Sequence, residues 1–237
     1  MIRANCRDRF TAEDFHFIVK TLGKSRTDAV SLAQLLSDTD TRDTILDHEL
    51  LVRAILEHNA HLSISPQFYF YILTRHVLKN TGIADRGVCD YIASLLETFS
   101  RTARMKSPAK NERGDASPIQ YLSDMLLALR GASPVQTFLI RAHAGNYSLF
   151  LSGIFHETVQ HRTAQRGAPD VSFYEELGRM NYKVVASHEV ARTADLSDIY
   201  AALAEQFHEI RIALNRLSDE LIHIGDDASF AHIPLLG

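Results

Sequence analysis

Leu196, Tyr200, Leu203, Phe207, Ile210, Leu214, Leu217, Leu221 and Ile224 follow one another in alternating steps of four and three. A strand cannot place residues at that spacing on one face, because its side chains alternate at every second position, whereas an α-helix lines them up along one edge. Sustained over about four heptads, the seam calls for a long C-terminal helix whose apolar edge something must cover. Gly225 supplies the stop. The flanking positions are Ala201, His208, Asn215 and Ile222 on one side and Ala202, Glu209, Arg216 and His223 on the other. A two-stranded coil exposed to solvent would carry more charge there, so the flanks suit a bundle in which several neighbours pack on the helix. Those neighbours belong to the same chain or to a second copy, and self-association through 196–224, as a homodimer, is expected.

Cap signals extend the helical reading along the chain. Thr11 opens a helix carrying Phe15, Ile18, Val19 and Leu22 that stops at Gly23. A second covers about 27–36, and a third follows Asp40 and carries Ile45 through Leu56. Ser65-Pro66, Ser117-Pro118 and Ser133-Pro134 each read as N-cap followed by the first helical residue, where a proline's missing N–H costs nothing. Gln120 and Gln136 complete capping boxes with Ser117 and Ser133, and Ser172 with Glu175 makes another. FYFYIL at 68–73 has strand propensity, yet the cap before it and the apolar pattern running on to Gly82 favour helix. Asp85 starts the next helix, through Leu95, Leu96 and Phe99. The expected fold is all-α, a multi-helix bundle of about eight or nine helices with no βαβ alternation. The charged stretch SRTARMKSPAKNERGDA, 100–116, lacks large aliphatic residues and reads as a loop. The chain is expected to be one helical domain over 1–237, with a possible subdivision into 1–99 and 117–225 at that loop.

Composition narrows the function classes. The 237 residues carry a formal charge of −4 with histidine neutral, so broad attraction to nucleic acid or anionic membrane is not expected. Arg101, Arg104, Lys106, Lys110 and Arg113 form a local basic excess, read first as a solvated connection and second as an arm for an acidic partner or phosphate. MIRANCRDRF lacks the apolar run of a signal peptide, and SLFLSGIF is far too short to span a membrane. Cys6 and Cys89 have no CxxC partner, which fits free thiols in a reducing cytoplasm. A disulfide between them stays open at this point.

The chemical candidates centre on NYSLFLSGIFHETVQHR, 146–162. His156 and His161 are five apart, so on a continuous helix they point roughly 140° apart and cannot share an ion in the manner of an HExxH motif. Glu157 and His161, four apart, share a face. Ser148, Ser152, His156 and Gln160 form a polar row beside the apolar residues Phe150, Leu151, Ile154 and Phe155. The row is either a solvated helix side or the wall of a cleft. Ser152, His156, Gln160, Glu157 and His161 are thus the ligand-binding candidates. A Ser152–His156 nucleophile and base would lack the sharp G-x-S-x-G turn that presents a hydrolase serine.

A second constellation is the Glu-x-x-His spacing of di-iron carboxylate bundles, where residues three apart share a face. It occurs at Glu13/His16, Glu205/His208 and Glu220/His223. The last two pairs lie about 22 Å apart along one helix and cannot share a site. A metal centre would therefore combine Glu13 and His16 with Glu205 and His208 and further carboxylates such as Glu49, Glu57 or Glu157, and would take iron, manganese or zinc. Glu57, His58 and His61 form a third cluster, read as the polar end of a helix. No P-loop or G-x-G-x-x-G occurs, so a nucleotide is not expected.

GNYSLFLSGIFHE and VSFYEELGRMNYKVVA, within 145–190, resemble a bacterial family of all-helical proteins of uncharacterised activity, over about a fifth of the chain. The resemblance implies a helical fold and a bacterial, cytoplasmic origin, and carries no site residue. With no complete catalytic set, the expected function is a non-catalytic or regulatory protein-interaction module without a cofactor. The alternative is a His/Glu metal-dependent or small-ligand helical enzyme.

Overall fold

A computed structural model describes residues 1–57, 63–105 and 118–222. These residues form thirteen α-helices and no strand. After a 3₁₀ turn at Arg7–Arg9 come α1 (Ala12–Leu22), α2 (Arg26–Leu35), α3 (Thr39–Leu46), α4 (Glu49–Glu57), α5 (Pro66–Asn80) and α6 (Arg86–Met105). The second half holds α7 (Pro118–Leu127), α8 (Pro134–Ile154), α9 (His156–Arg166), α10 (Val171–Ala186), α11 (Glu189–Thr193), α12 (Ser197–Glu205) and α13 (Phe207–Arg216), followed by a π-helical turn, Leu217–Ile222. No described helix is long and apolar enough to cross a membrane.

The helix count exceeds the expected eight or nine because runs read as single helices are divided. The third sequence helix splits at Asp47-His48 into α3 and α4, where the His48 ring nitrogen accepts from the Leu50 N–H and caps the second piece. The 146–162 run splits at Phe155, and the seam helix splits at Gln206. The expected long C-terminal helix is therefore two helices and a π turn, and Ile224 and Gly225 lie outside the described residues.

Local caps hold where expected at Thr11, Ser65 and Ser133, the first and last as reciprocal capping boxes with Asp14 and Gln136. The Ser172 box does not form: α10 is capped by Asp170, which accepts from the Phe173 N–H, and Ser172 donates to Asp170. The loop expected at 100–116 begins later, since α6 runs on to Met105, and 106–116 lie outside the described residues.

FYFYIL falls in α5, a helix buried on every side from Gln67 to Arg75. Its β-like composition is that of a helix with no solvent face, packed by α4, α6, α13, the 3₁₀ turn and the π turn. One apolar core draws residues from both sides of 106–117, from Cys6 and Ile18 to Leu214 and Leu217. A smaller cluster joins Leu122, Ala144, Leu151, Val159 and Tyr174 beneath α7. The seam lies inside the main core: Leu196, Tyr200, Leu203, Phe207, Ile210, Leu214 and Leu217 are all 2% exposed or less. The chain's own helices cover that edge from Leu196 to Leu217.

α8 and α10 pack antiparallel, with Gly145 against the Tyr182 ring and Gly178 against Ser148 and the Phe207 ring. A Cβ on Gly145 would sit 2.7 Å from Tyr182 Cε1, so glycine is what lets the backbone approach the ring. Between the helices Tyr91 and Tyr182 both donate to Asn146 Oδ1 at 2.8 Å, and the Tyr91 and Tyr200 hydroxyls stand 3.2 Å apart. Burial pushes the Tyr91 and Tyr182 hydroxyls well above the ordinary tyrosine pKa, with the neighbouring tyrosines adding to it.

Candidate functional site

α8 ends because Phe155 leaves helical geometry, at φ −110° and ψ 31°. Its own N–H still reaches the Leu151 oxygen, and its oxygen still takes the Val159 N–H. The Ser152, Gly153 and Ile154 oxygens lose their next-turn partners. Three unserved carbonyls inside a protein are costly, and α13 and the π turn serve them. Asn215 Nδ2 donates to the Ser152 and Gly153 oxygens at 2.9 and 2.7 Å, and Ser218 Oγ donates to Ile154 O at 2.9 Å. Asn215 is held in turn by Arg211 Nη1, which donates to its Oδ1 at 2.8 Å, and Arg211 Nε donates to Glu175 Oε2 at 2.8 Å.

This junction brings together some of the sequence candidates and separates others. His156 and Glu157 open α9, and the π turn sets Asp219 beside them. A ligand atom from each of His156, Glu157 and Asp219 lies within 4.8 Å of the others. His156 Nε2 is 3.4 Å from Asp219 Oδ2, the imidazole 13% exposed and the carboxylate 47%. His156 Nδ1 is buried without a hydrogen-bond partner. Among the described residues no other three His, Cys, Asp or Glu side chains gather this closely.

The polar row read across 148–160 does not survive the break at Phe155. Ser148 and Ser152 are fully buried in α8, while Gln160 and His161 are exposed on α9 and outside the cluster. Ser152 Oγ donates to Ser148 O at 2.7 Å, so its proton is engaged along its own helix and not with His156.

The di-iron candidates do not converge among the described residues. Glu13 and His16 are exposed on α1, and Glu205 and His208 are exposed near the α12–α13 break. His208 Nδ1 lies 3.1 Å from Glu175 and not against Glu205. His223, the partner that would complete the Glu220 pair, and the His58–His61 segment fall outside what the structure describes, as does the basic arm beyond Met105. Arg101 pairs with Glu97 one turn back, at 2.8 Å. Cys6 and Cys89 are both free and buried, and burial raises both thiols.

A charged network absent from the sequence reading joins the N-terminal segment to α3, α5 and α6. Arg7 contacts Asp43 at 2.6 Å and, through Nε, Asp90 at 2.8 Å. Arg86 reaches Asp47 at 3.0 Å and donates to the Tyr71 hydroxyl, and Arg75 donates to Asp47 at 2.9 Å. Burial opposes the charged form of Asp47, but Arg75, Arg86 and Lys79 outweigh it and hold the carboxyl below its ordinary pKa. Its ion pairs join residues 28 to 83 positions apart, so no local periodicity could reveal them.

One helix face stays open. Phe173, Met180 and Val184 are exposed on α10, with Leu177 half-buried among them, at steps of four, three and four. Glu176, Arg179 and Lys183 stand exposed beside the row.

No protein-family model, curated protein or solved structure matches this chain.

Proposed function

We propose that this chain is a non-catalytic or regulatory helical protein acting through protein contacts, and that it pairs with a second copy of itself across α10. The supporting observation is the row of Phe173, Leu177, Met180 and Val184, the apolar edge of a helix with one side left open to water. The charges beside it are self-complementary. Glu176 lies towards one end and Lys183 towards the other, so an antiparallel two-fold pairing sets Glu176 of each copy near Lys183 of its mate. Withdrawing each large side chain from water is worth about 1.5–3 kcal/mol, which makes α10 a better partner surface than the seam already covered within the chain. The two buried, unpaired thiols fit a reducing cytoplasm as the site of action.

Size-exclusion chromatography with light scattering tests the reading. The expected result is a dimer that becomes monomeric in the double variant Met180→Asp, Val184→Asp with its helical circular dichroism intact. A wild-type chain that stays monomeric as concentration rises would remove the pairing.

A further inference from the structure

We infer that His156, Glu157 and Asp219 bind a divalent transition-metal ion of the zinc class at the α8–α9 junction. This site is independent of the α10 face and shares only Glu157 with the carboxylates considered for a di-iron centre.

The donor chemistry is the first argument. One imidazole and two carboxylates make a mixed nitrogen and oxygen set, which suits zinc, and their ligand atoms all lie within 4.8 Å of one another. The His156 Nε2 to Asp219 Oδ2 distance of 3.4 Å is long for a charge-assisted hydrogen bond. It matches the edge between two ligands of a tetrahedral ion, about 3.3 Å for bonds of about 2.0–2.1 Å. A water completes the fourth position.

Charge is the second argument. Neither Glu157 nor Asp219 has a lysine or arginine ion-pair partner among the described residues, and the imidazole beside Asp219 is the one basic group paired with either. Two carboxylates brought together without a fixed cation favour binding one from solution.

Preorganisation is the third. His156 and Glu157 follow one residue after the carbonyls of Ser152, Gly153 and Ile154, which Asn215 and Ser218 tie to the segment carrying Asp219. The backbones on the two sides of the site are therefore joined before any ion arrives. Nε2 is the ring nitrogen that faces Asp219, while the buried Nδ1 has no hydrogen-bond partner.

The test is calorimetric titration of the full chain, without a histidine tag, with zinc chloride, alongside visible absorption with cobalt(II). The expected result is one ion per chain and a cobalt spectrum of four-coordinate intensity. His156→Ala, Glu157→Gln and Asp219→Asn should each weaken binding at least about tenfold, while His161→Ala and Glu205→Gln should not. Asp219→Asn keeps the shape of the side chain, so equal helical circular dichroism confirms that its loss is not unfolding. Absence of zinc binding, binding unchanged in the first three variants, or a six-coordinate cobalt spectrum would each overturn the assignment.

Discussion

The side-chain amide of Asn215 donates to the backbone oxygen of Gly153 at 2.7 Å, across a sequence separation of 62 residues. The same amide serves Ser152. Asn215 thus stands in for the N–H groups that the break at Phe155 withdraws from the end of α8. Asn215→Leu keeps similar bulk and leaves two carbonyls unserved, so it should destabilise the fold by about 1–3 kcal/mol. Chemical denaturation of the variant against wild type measures this. An unchanged midpoint would mean that water or a local shift restores the bonds.

Gly178 offers a second test. A methyl there would overlap the Phe207 ring and press on Ser148 Cβ at 3.1 Å. Gly178→Ala raises helix propensity yet should lower stability by about 1–3 kcal/mol, because the core must move aside. Thermal unfolding of Gly178→Ala, with Phe207→Leu added to make room, separates the two effects. The double variant should lose less than the sum of the single ones.

The buried tyrosines set an alkaline limit. Burial raises the folded-state pKa of Tyr91, Tyr182 and Tyr200, so the native chain favours their neutral form. The sign follows from linkage: their contribution is fully present below the unfolded pKa, near pH 10, and is lost as pH rises beyond it towards the folded values. Unfolding midpoints should fall steeply above about pH 10, and the tyrosinate absorbance of these three should appear together with unfolding. Tyr91→Phe should flatten that fall. Ionisation of Tyr91, Tyr182 and Tyr200 themselves, read as the absorbance lost in their phenylalanine variants, while the helices stay folded would refute the account.

The all-helical architecture was readable because it rests on local rules. Thr11, Ser65 and Ser133 cap the helices that follow them with atoms only three residues away. The breaks were not readable, because each depends on a remote partner or on competition between neighbours. Phe155 can leave the helix only because Asn215 and Ser218 wait on another helix, and nothing near residue 155 announces them. Asp170 displaces Ser172 as a cap, and Glu175 is drawn away to Arg211. His156 and Glu157 stood out as adjacent ligand types, whereas Asp219 shares no motif spacing with them and joins the cluster through the π turn. The seam had the correct periodicity, but periodicity does not say whether the cover comes from the same chain, and here it does.

Arg7 finds Asp90 across 83 residues. During synthesis the first segment leaves the ribosome long before α6 exists, and its guanidinium meets water until that helix emerges. The segment around Arg7 therefore joins α6 only after the stretch between them has emerged, against the loop-closure entropy of that stretch. That contact presupposes α6 but none of the helices that follow it in the chain.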